Sequence, residues 1–530
     1  MHSYKEKIDT YIDSKKEEML EDLKTLVRID SQKGQAEEGK PFGAGPAAAI
    51  AAAQELMQRY GLDVKNYENY VVTGDLAATA ADAAFDNKMS ESTDSSCQGE
   101  KGLDILAHLD VVPVTEDWTV TQPFEPKIVD GRIYGRGTSD DKGPAVAALY
   151  ALRAIHELGI PMKKGIRLVL GSDEECGSSD LKYYYGIEKE APYTFTPDAE
   201  FPVINIEKGR LAASFHADFC EGCLKNEAET RVGEFPCVLR LKSGDKANVV
   251  PGRAVLELEG LDAQAVRFAA DETERETGVA FEISCLTETG NTDGSQMKKD
   301  NTGKTEKMPG NVLRIDVRGV SAHASTPQEG KNALTASLRL VSKLFGGASC
   351  EAGGNAGIKA LLALEKLFPY EDTCGKAAGV YREDANSGAV TLCFSVLDYT
   401  PEHINGTFDA RLPIGCTEEN TRRPLMETLR AAGLEMEDAS MSKPHCVPGD
   451  SEFVKILLES YACYSGIKGE PLSTGGGTYV HGLERGVAFG CGTPDVDNHM
   501  HGDDEFMVID TLVMSAKIFA DAAIRICNEL

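Results

Sequence analysis

The densest chemistry in this sequence lies in GCGTPDVDNHMHGDDEF, residues 490–506, where His499 and His501 stand one methionine apart among acidic residues. Imidazole and carboxylate together are donors that zinc, manganese and cobalt accept. Four other segments carry the same donor types. His108-Leu-Asp110 closes an apolar run, and alternate residues of an extended segment point the same way. His108 can ligate while Asp110 orients its ring. GRGTSDDKG (135–143) sets Asp140 and Asp141 in a glycine-punctuated turn ahead of a helix. GSDEECG (171–177) places Glu174 and Glu175 directly after a buried strand, and PDAEFP (197–202) holds Asp198. Each segment also has a plainer reading: a hydrogen-bonded His–Asp pair, a helix cap, two solvated glutamates, a turn aspartate. Recurrence at similar places in a regular pattern favours one shared site. So many carboxylates brought together would repel unless cations stood among them, and two divalent ions offset nearly all of that charge. Spacing alone leaves His499 and His501 equivalent.

The elements that must position these residues are legible from periodicity. LDILAHLD (103–110) and GIRLVLG (165–171) read as buried strands, with AVAALYALRAIHELG (145–159) as a helix packed on a sheet. GPAAAIAAAQELMQRYG (45–61) is a helix ended by Gly61. Ile8, Ile12, Met19, Leu23 and Leu26 recur at helical spacing, so the first thirty residues form a charged amphipathic helix rather than a signal peptide. Apolar strands alternating with helices point to an α/β layer fold, whose sites lie at strand ends. The middle differs. Residues 237–260 and 312–325 alternate as strands with glycine-rich turns, and each is followed by a helix-like stretch and another strand. They suggest a β-rich insertion made of two similar halves. From residue 444 the α/β character returns, with a helix at 451–465 capped by Asp450 or Ser451 and stopped by Gly466. A last helix carries Leu512, Val513, Ala516, Ala520, Ile524 and Cys527 on one face. The expected domains are 1–208 with 444–530, and 209–443.

With 530 residues the chain exceeds one ordinary core. A formal charge of −30 argues against nucleic-acid or anionic-membrane binding, which need a basic footprint. No apolar run reaches the length of a membrane span. Fourteen scattered cysteines read as reduced thiols, and the single Cys220–Cys223 pair is too isolated to define a metal site. A cytoplasmic protein is expected. The polar stretches 85–101 and 287–310 read as surface insertions.

The segments ILAHLDVVP, IYGRGTSDDKGP, VLGSDEE, PDAEFPVINIEKG, GVSAHASTPQEGKNAL, GGGTYVHGLERGVAFG and DNHMHGDDEF occur in that order along nearly the whole chain. In this set and order the sequence resembles the co-catalytic dinuclear metallopeptidases, the family of carnosinases, aminoacylases and glutamate carboxypeptidases. The likeness is strongest to bacterial dipeptidase V-type enzymes. The resemblance implies a zinc-peptidase-like domain with a central mixed β-sheet flanked by helices, interrupted by an α+β lid. It implies two divalent cations, zinc with manganese or cobalt as alternatives, one held by His108 and Asp198 and the other by Glu175 and His501. Asp140 would bridge them through a turn with a cis Asp140–Asp141 peptide, and His499 would be no ligand. Asp110 would orient His108, Glu174 would be the general base, and His323 of the lid would stabilise the oxyanion. Arg411 of FDARLPIG would grip the substrate carboxylate, assisted by Asn248 of NVVPG and the backbone around Gly476. His481 could line the pocket and His445 support the domain junction. The implied activity is hydrolysis of dipeptides or short peptides by a monomer. An N-acyl-amino-acid deacylase, or a non-catalytic metal-binding protein, would use the same scaffold.

Overall fold

Apolar runs at 103–108 and 165–171 become strands Lys101–His108 and Gly165–Gly171, buried along nearly their whole length. They lie side by side and parallel in the computed structural model, which describes residues 4–79, 100–219, 236–286, 312–347 and 356–530. Residues 85–99, the loop 287–310 and the Cys220–Cys223 pair lie outside the described residues. The chain divides into two compact units, residues 1–207 with 445–530, and residues 208–444.

The first unit is built on a nine-stranded mixed sheet. Its order is Asp63–Tyr67, Val71–Leu76, Gly165–Gly171, Lys101–His108, Tyr193–Thr196, Gly486–Ala488, Ile204–Glu207 and His445–Cys446, with Leu472–Thr474 also on Ile204–Glu207. Two charges interrupt the apolar central strands. Asp104 and Arg167, opposite each other in register, make a buried two-point pair of 2.8 and 2.5 Å. Each charge is usable there only because the other is present, so the pair pins the register of the two strands.

Helices cover the sheet. Lys142–Glu157 is buried from Lys142 to Ile155, consistent with its nearly uniform apolar sequence. Ile509–Glu529 is also buried on most sides, beyond the single face expected for it. The amphipathic N-terminus forms two helices, Lys5–Ser14 and Lys16–Val27, that bury the five expected apolar residues. Gly61, at φ 78°, follows the helix Ala44–Arg59 in the left-handed conformation that ends it. Of the two candidate caps near 450, Ser451 serves: its side chain accepts from Val454 N at the start of Glu452–Ser465.

The second unit holds one eight-stranded sheet. Its order is Ala280–Leu286, Val312–Arg318, Arg253–Glu259, Cys237–Ser243, Thr391–Tyr399, His403–Leu412, Gly209–Asp218 and Glu435–Met436. All neighbours are antiparallel. Burial alternates along Arg253–Glu259 and Val312–Arg318, so one face meets the core. The sheet is two four-stranded halves joined edge to edge through the pairing of residues 241–243 with 397–399. In each half a hairpin is followed by a helix, Ala263–Thr277 or Arg423–Ala431, and then by the outermost strand. The halves are not consecutive in sequence. Segments 237–260 and 312–325, expected to open different halves, pair with one another within the same half. The other half draws Gly209–Asp218 from before the first half begins, which hides the repeat from a linear reading.

Gly244 turns the chain beside this seam at φ +73°, and a Cβ there would run into the carbonyl oxygen of Ser395. Gly244→Ala is therefore expected to destabilise the second unit by about 1–3 kcal/mol. Urea unfolding should show a lowered midpoint; an unchanged midpoint would contradict the packing described at this seam.

Candidate metal centre

Gly165–Gly171, Lys101–His108, Tyr193–Thr196 and Gly486–Ala488 are adjacent and parallel. Their C-terminal ends therefore open on one edge of the sheet, where α/β folds build sites. Each end leads into a candidate ligand: His108, the Glu174–Glu175 turn, Asp198, and the loop that reaches His501. Asp140 comes from the turn before helix Lys142–Glu157.

These residues converge. His108, wholly buried, places Nε2 2.9 Å from Asp140 Oδ1 and 3.8 Å from Asp198 Oδ2. His501 places Nε2 2.7 Å from Asp140 Oδ2 and 3.2 Å from Glu175 Oε1. Asp140 thus faces one histidine with each oxygen. Among the described residues, two groups bring metal-type donor atoms within 4.8 Å of one another: His108, Glu174 and Asp198, and His108, Asp140 and Glu175. The Asp140–Asp141 peptide is cis. His499 is turned elsewhere, its Nδ1 3.2 Å from the carbonyl oxygen of Asp503 and its ring against Phe506.

Buried carboxylates outside the two donor groups hold these segments in place. Asp110 Oδ1 and Oδ2 accept from the backbone N–H groups of Glu174 and Glu175, both at 3.1 Å. His108 Nδ1 lies 3.0 Å from the carbonyl oxygen of Asp110 and 3.5 Å from its carboxylate. Asp110 therefore orients the ring chiefly through its main chain, because its side chain is occupied with the glutamate turn. Asp180 accepts from Ser172 N and Asp173 N. Asp141 Oδ2 accepts from His108 N at 3.0 Å and makes no helix-cap bond, so the capping reading fails for it. Glu505, wholly buried, accepts from Gly137 N, Ser139 N and Asp140 N and pairs with Arg136 at 2.6 Å. Sequence reasoning missed Asp180, Asp141's role and Glu505, because each acts on a backbone amide that carries no residue-type signal. The nearest available clue was Arg136 beside Asp140, which needs a buried acid somewhere.

The electrostatics follow from crowding. Burial pushes Glu174 well above the usual carboxylate range, with His108 opposing and Asp198 and Glu175 adding to the shift. Burial and then Asp140 push Asp198 up to about 7, and raise Glu175 also. Although burial opposes it, hydrogen bonds from His108 and His501 hold Asp140 below the usual range. His501, held by Asp140 and Glu175, is pushed up to about 11. Protons on these groups offset repulsion that cations would offset better. The donors fit divalent cations on a second count. Glu175 Oε1 is buried without a hydrogen-bond partner among the described residues, although His501 Nε2 is 3.2 Å away. Imidazole nitrogens and carboxylate oxygens suit zinc, manganese or cobalt.

The other expected site residues fall in two groups, one in each unit. Gly476, in the first unit, donates from its backbone N to Thr474 Oγ1 at 3.1 Å, and its neighbour Gly477 lies near the pair formed by His481 Nδ1 and Glu207 Oε2 at 3.0 Å. His445 Nε2 lies 2.6 Å from Gly486 O, where the chain re-enters this unit. In the second unit, His323 pairs with Val249 between the short strands Ala322–His323 and Val249–Val250, and Ala324 N donates to Asn248 O. The structure thus brings His323 and Asn248 together. Arg411, buried near the end of His403–Leu412, donates from Nε to Asp409 Oδ1 at 2.6 Å.

Residues 105–525 match Peptidase family M20/M25/M40. The Beta-Ala-Xaa dipeptidase of Lactobacillus delbrueckii subsp. lactis is 31% identical over 526 residues, 98% of this chain and 97% of that protein. Two solved structures share the fold. Human carnosine dipeptidase 1 covers 100% of this chain and 99% of its own, with TM-score 0.51 and 17% identity. Aminoacylhistidine dipeptidase from Vibrio alginolyticus covers 95% and 96%, with TM-score 0.52 and 16% identity. The chain belongs to peptidase family M20/M25/M40. It is a metallopeptidase, and membership implies divalent metal ions. Among the described residues no helix is long and apolar enough to cross a membrane.

Lys142, buried next to this cluster, donates to Ile29 O at 2.8 Å. Burial lowers its pKa from 10.5 to about 7, against opposing pulls from Glu505, Asp30 and Asp110. Between these values the unfolded chain binds the extra proton, so this group makes stability rise with pH from about 7 to 10.5. Lys142→Met removes that dependence. In metal-free protein, the variant's stability advantage should shrink by up to about 1.4 kcal/mol per pH unit across this window. A difference between the two proteins that stays flat with pH in urea titrations would refute it.

Proposed function

We propose that the protein is a metal-dependent dipeptidase that cleaves the peptide bond of dipeptides or short peptides. What carries this reading is the gathering of His108, Asp140, Glu174, Glu175, Asp198 and His501 at the ends of neighbouring parallel strands. Similarity to a Beta-Ala-Xaa dipeptidase along almost the full chain supports the substrate class.

The residues that would hold two divalent ions, zinc by preference, are His108 and Asp198 for one and Glu175 and His501 for the other. Asp140, with one oxygen toward each histidine, would be shared between them. When bound, such ions acidify water and polarise a carbonyl oxygen. Glu174 is the general base: it accepts the proton of the attacking water and delivers it to the leaving amine. Its own amide is fastened to Asp110, which fixes where the carboxylate can reach. His323 of the second unit donates to the developing oxyanion from Nε2, its Nδ1 lying 2.6 Å from Ser325 Oγ. Arg411, its Nε set by Asp409, receives the substrate carboxylate, a fit for a planar guanidinium. Asn248 and the backbone at Gly476 complete substrate binding. The second unit acts as a lid. Its two-halved sheet supports a protein that works as a monomer, each chain supplying its own lid histidine, and the cytoplasm is its proposed location.

Metal-loaded wild type should hydrolyse a dipeptide panel. Glu174→Gln should lose about 10²–10⁴-fold in kcat with its metal content retained. Activity on N-acetyl or N-succinyl amino acids but not on dipeptides would establish a deacylase instead. Inactivity of the loaded wild type on both panels would leave a metal-binding protein. His501→Ala should abolish dipeptide hydrolysis while His499→Ala keeps most of it, and the reverse outcome would overturn the ligand assignment. In light scattering the same preparations should behave as single chains; a dimer would remove the self-sufficient lid.

A further inference from the structure

The loop that carries His501 and the turn that carries Asp140 are joined at one side chain. Glu505 is wholly buried, four residues beyond His501. Its Oε1 accepts from Ser139 N at 2.8 Å and Asp140 N at 3.2 Å. Its Oε2 accepts from Gly137 N at 3.1 Å and Arg136 Nη1 at 2.6 Å. Gly135 N donates to its carbonyl oxygen, and Arg136 Nη2 donates to Gly502 O at 3.0 Å. Residues 135–140 are thus wound around one carboxylate supplied by the His501 loop. With two donors on each oxygen, Glu505 has its acceptor capacity spent on this turn, and it belongs to neither group of metal-type donors. Around it the same loop makes a second clasp: Asp504 Oδ1 accepts from Thr119 N and Val120 N, both at 2.9 Å. Asn498 Nδ2 donates to Ser139 Oγ.

We propose that Glu505 is a positioning residue for the metal centre. It acts through the backbone of Asp140, fixing that carboxylate between His108 and His501. A glutamine cannot replace it, because one of its two positions becomes an NH2 group facing N–H donors. An aspartate keeps the charge but falls one methylene short. The ligand-bearing turn would then lose its template, and Asp140 could no longer meet both histidines at once.

This inference rests on the metal-centre reading, and the experiment separates the two. Wild type, Glu505→Gln and Glu505→Asp, each stripped of metal and checked for folding by circular dichroism, are titrated calorimetrically with Mn²⁺ alone. Their Co²⁺ complexes are compared by visible absorption. Wild type is expected to bind, and Glu505→Gln to bind about 10–100-fold more weakly with a changed Co²⁺ spectrum. A purely structural role would lower the melting temperature and leave affinity and spectrum as they are. If wild type binds neither ion, the metal-centre reading fails and this proposal with it. If wild type binds and folded Glu505→Gln matches it within twofold, with the same spectrum, the proposal alone fails. Should the glutamine variant not fold, Glu505→Asp is judged by the same criterion.

Discussion

The site depends on one recurring interaction, a buried carboxylate that accepts backbone N–H groups from a segment presenting proposed metal ligands. Asp110 holds the amides of 174 and 175, Asp180 those of 172 and 173, Asp141 that of 108, and Glu505 those of 137, 139 and 140. Turns leaving the ends of parallel strands have no ladder partners for their amides, and burying those groups unpaired would be costly. A hydrogen bond to a charged acceptor is worth about 1.5–3 kcal/mol, so an anchor that is ionised fixes its segment more firmly than a neutral cap could, although burial pushes Asp141 well up and Asp180 up to about 6. The side chains proposed as ligands are thereby placed by their own backbones.

The same choice creates a charge problem. Scaffold carboxylates are answered by amides and, for Glu505, by Arg136. The remaining carboxylates, Asp140, Glu174, Glu175 and Asp198, face one another and two imidazoles in a largely buried cluster. Proton affinities spread apart in consequence, with Asp140 low, Glu174 and Asp198 high and His501 pushed up to about 11. Divalent cations resolve the same repulsion while leaving the carboxylates ionised, which is the state a general base needs. Membership in peptidase family M20/M25/M40 agrees with that chemistry.

Much of this was legible in the sequence. Buried strands, the helices at 45–61, 145–159 and 451–465, and the cluster at strand ends follow from periodicity and from donor types recurring after apolar runs. The order of motifs separated His501 from His499, which spacing left equivalent, and the structure turns His499 toward Asp503. Three things were hidden, for different physical reasons. The two halves of the second unit interleave, so their strands are not neighbours in sequence. The type of Asp110 points to His108, but not to the second duty of its carboxylate, which accepts from the glutamate turn while its carbonyl oxygen lies nearer the ring. Glu505 looked like one more residue of an acidic loop, because its partners lie 365 to 369 positions away and are mostly backbone.

The clustered carboxylates and histidines are proposed to form a single centre for two ions shared by Asp140. Anomalous diffraction from crystals of zinc-loaded protein, collected on both sides of the zinc edge, tests it most directly. Two adjacent peaks are expected, one contacted by His108 and Asp198, the other by Glu175 and His501, with Asp140 touching both. A single peak, or one contacted by His499 in place of His501, would contradict it.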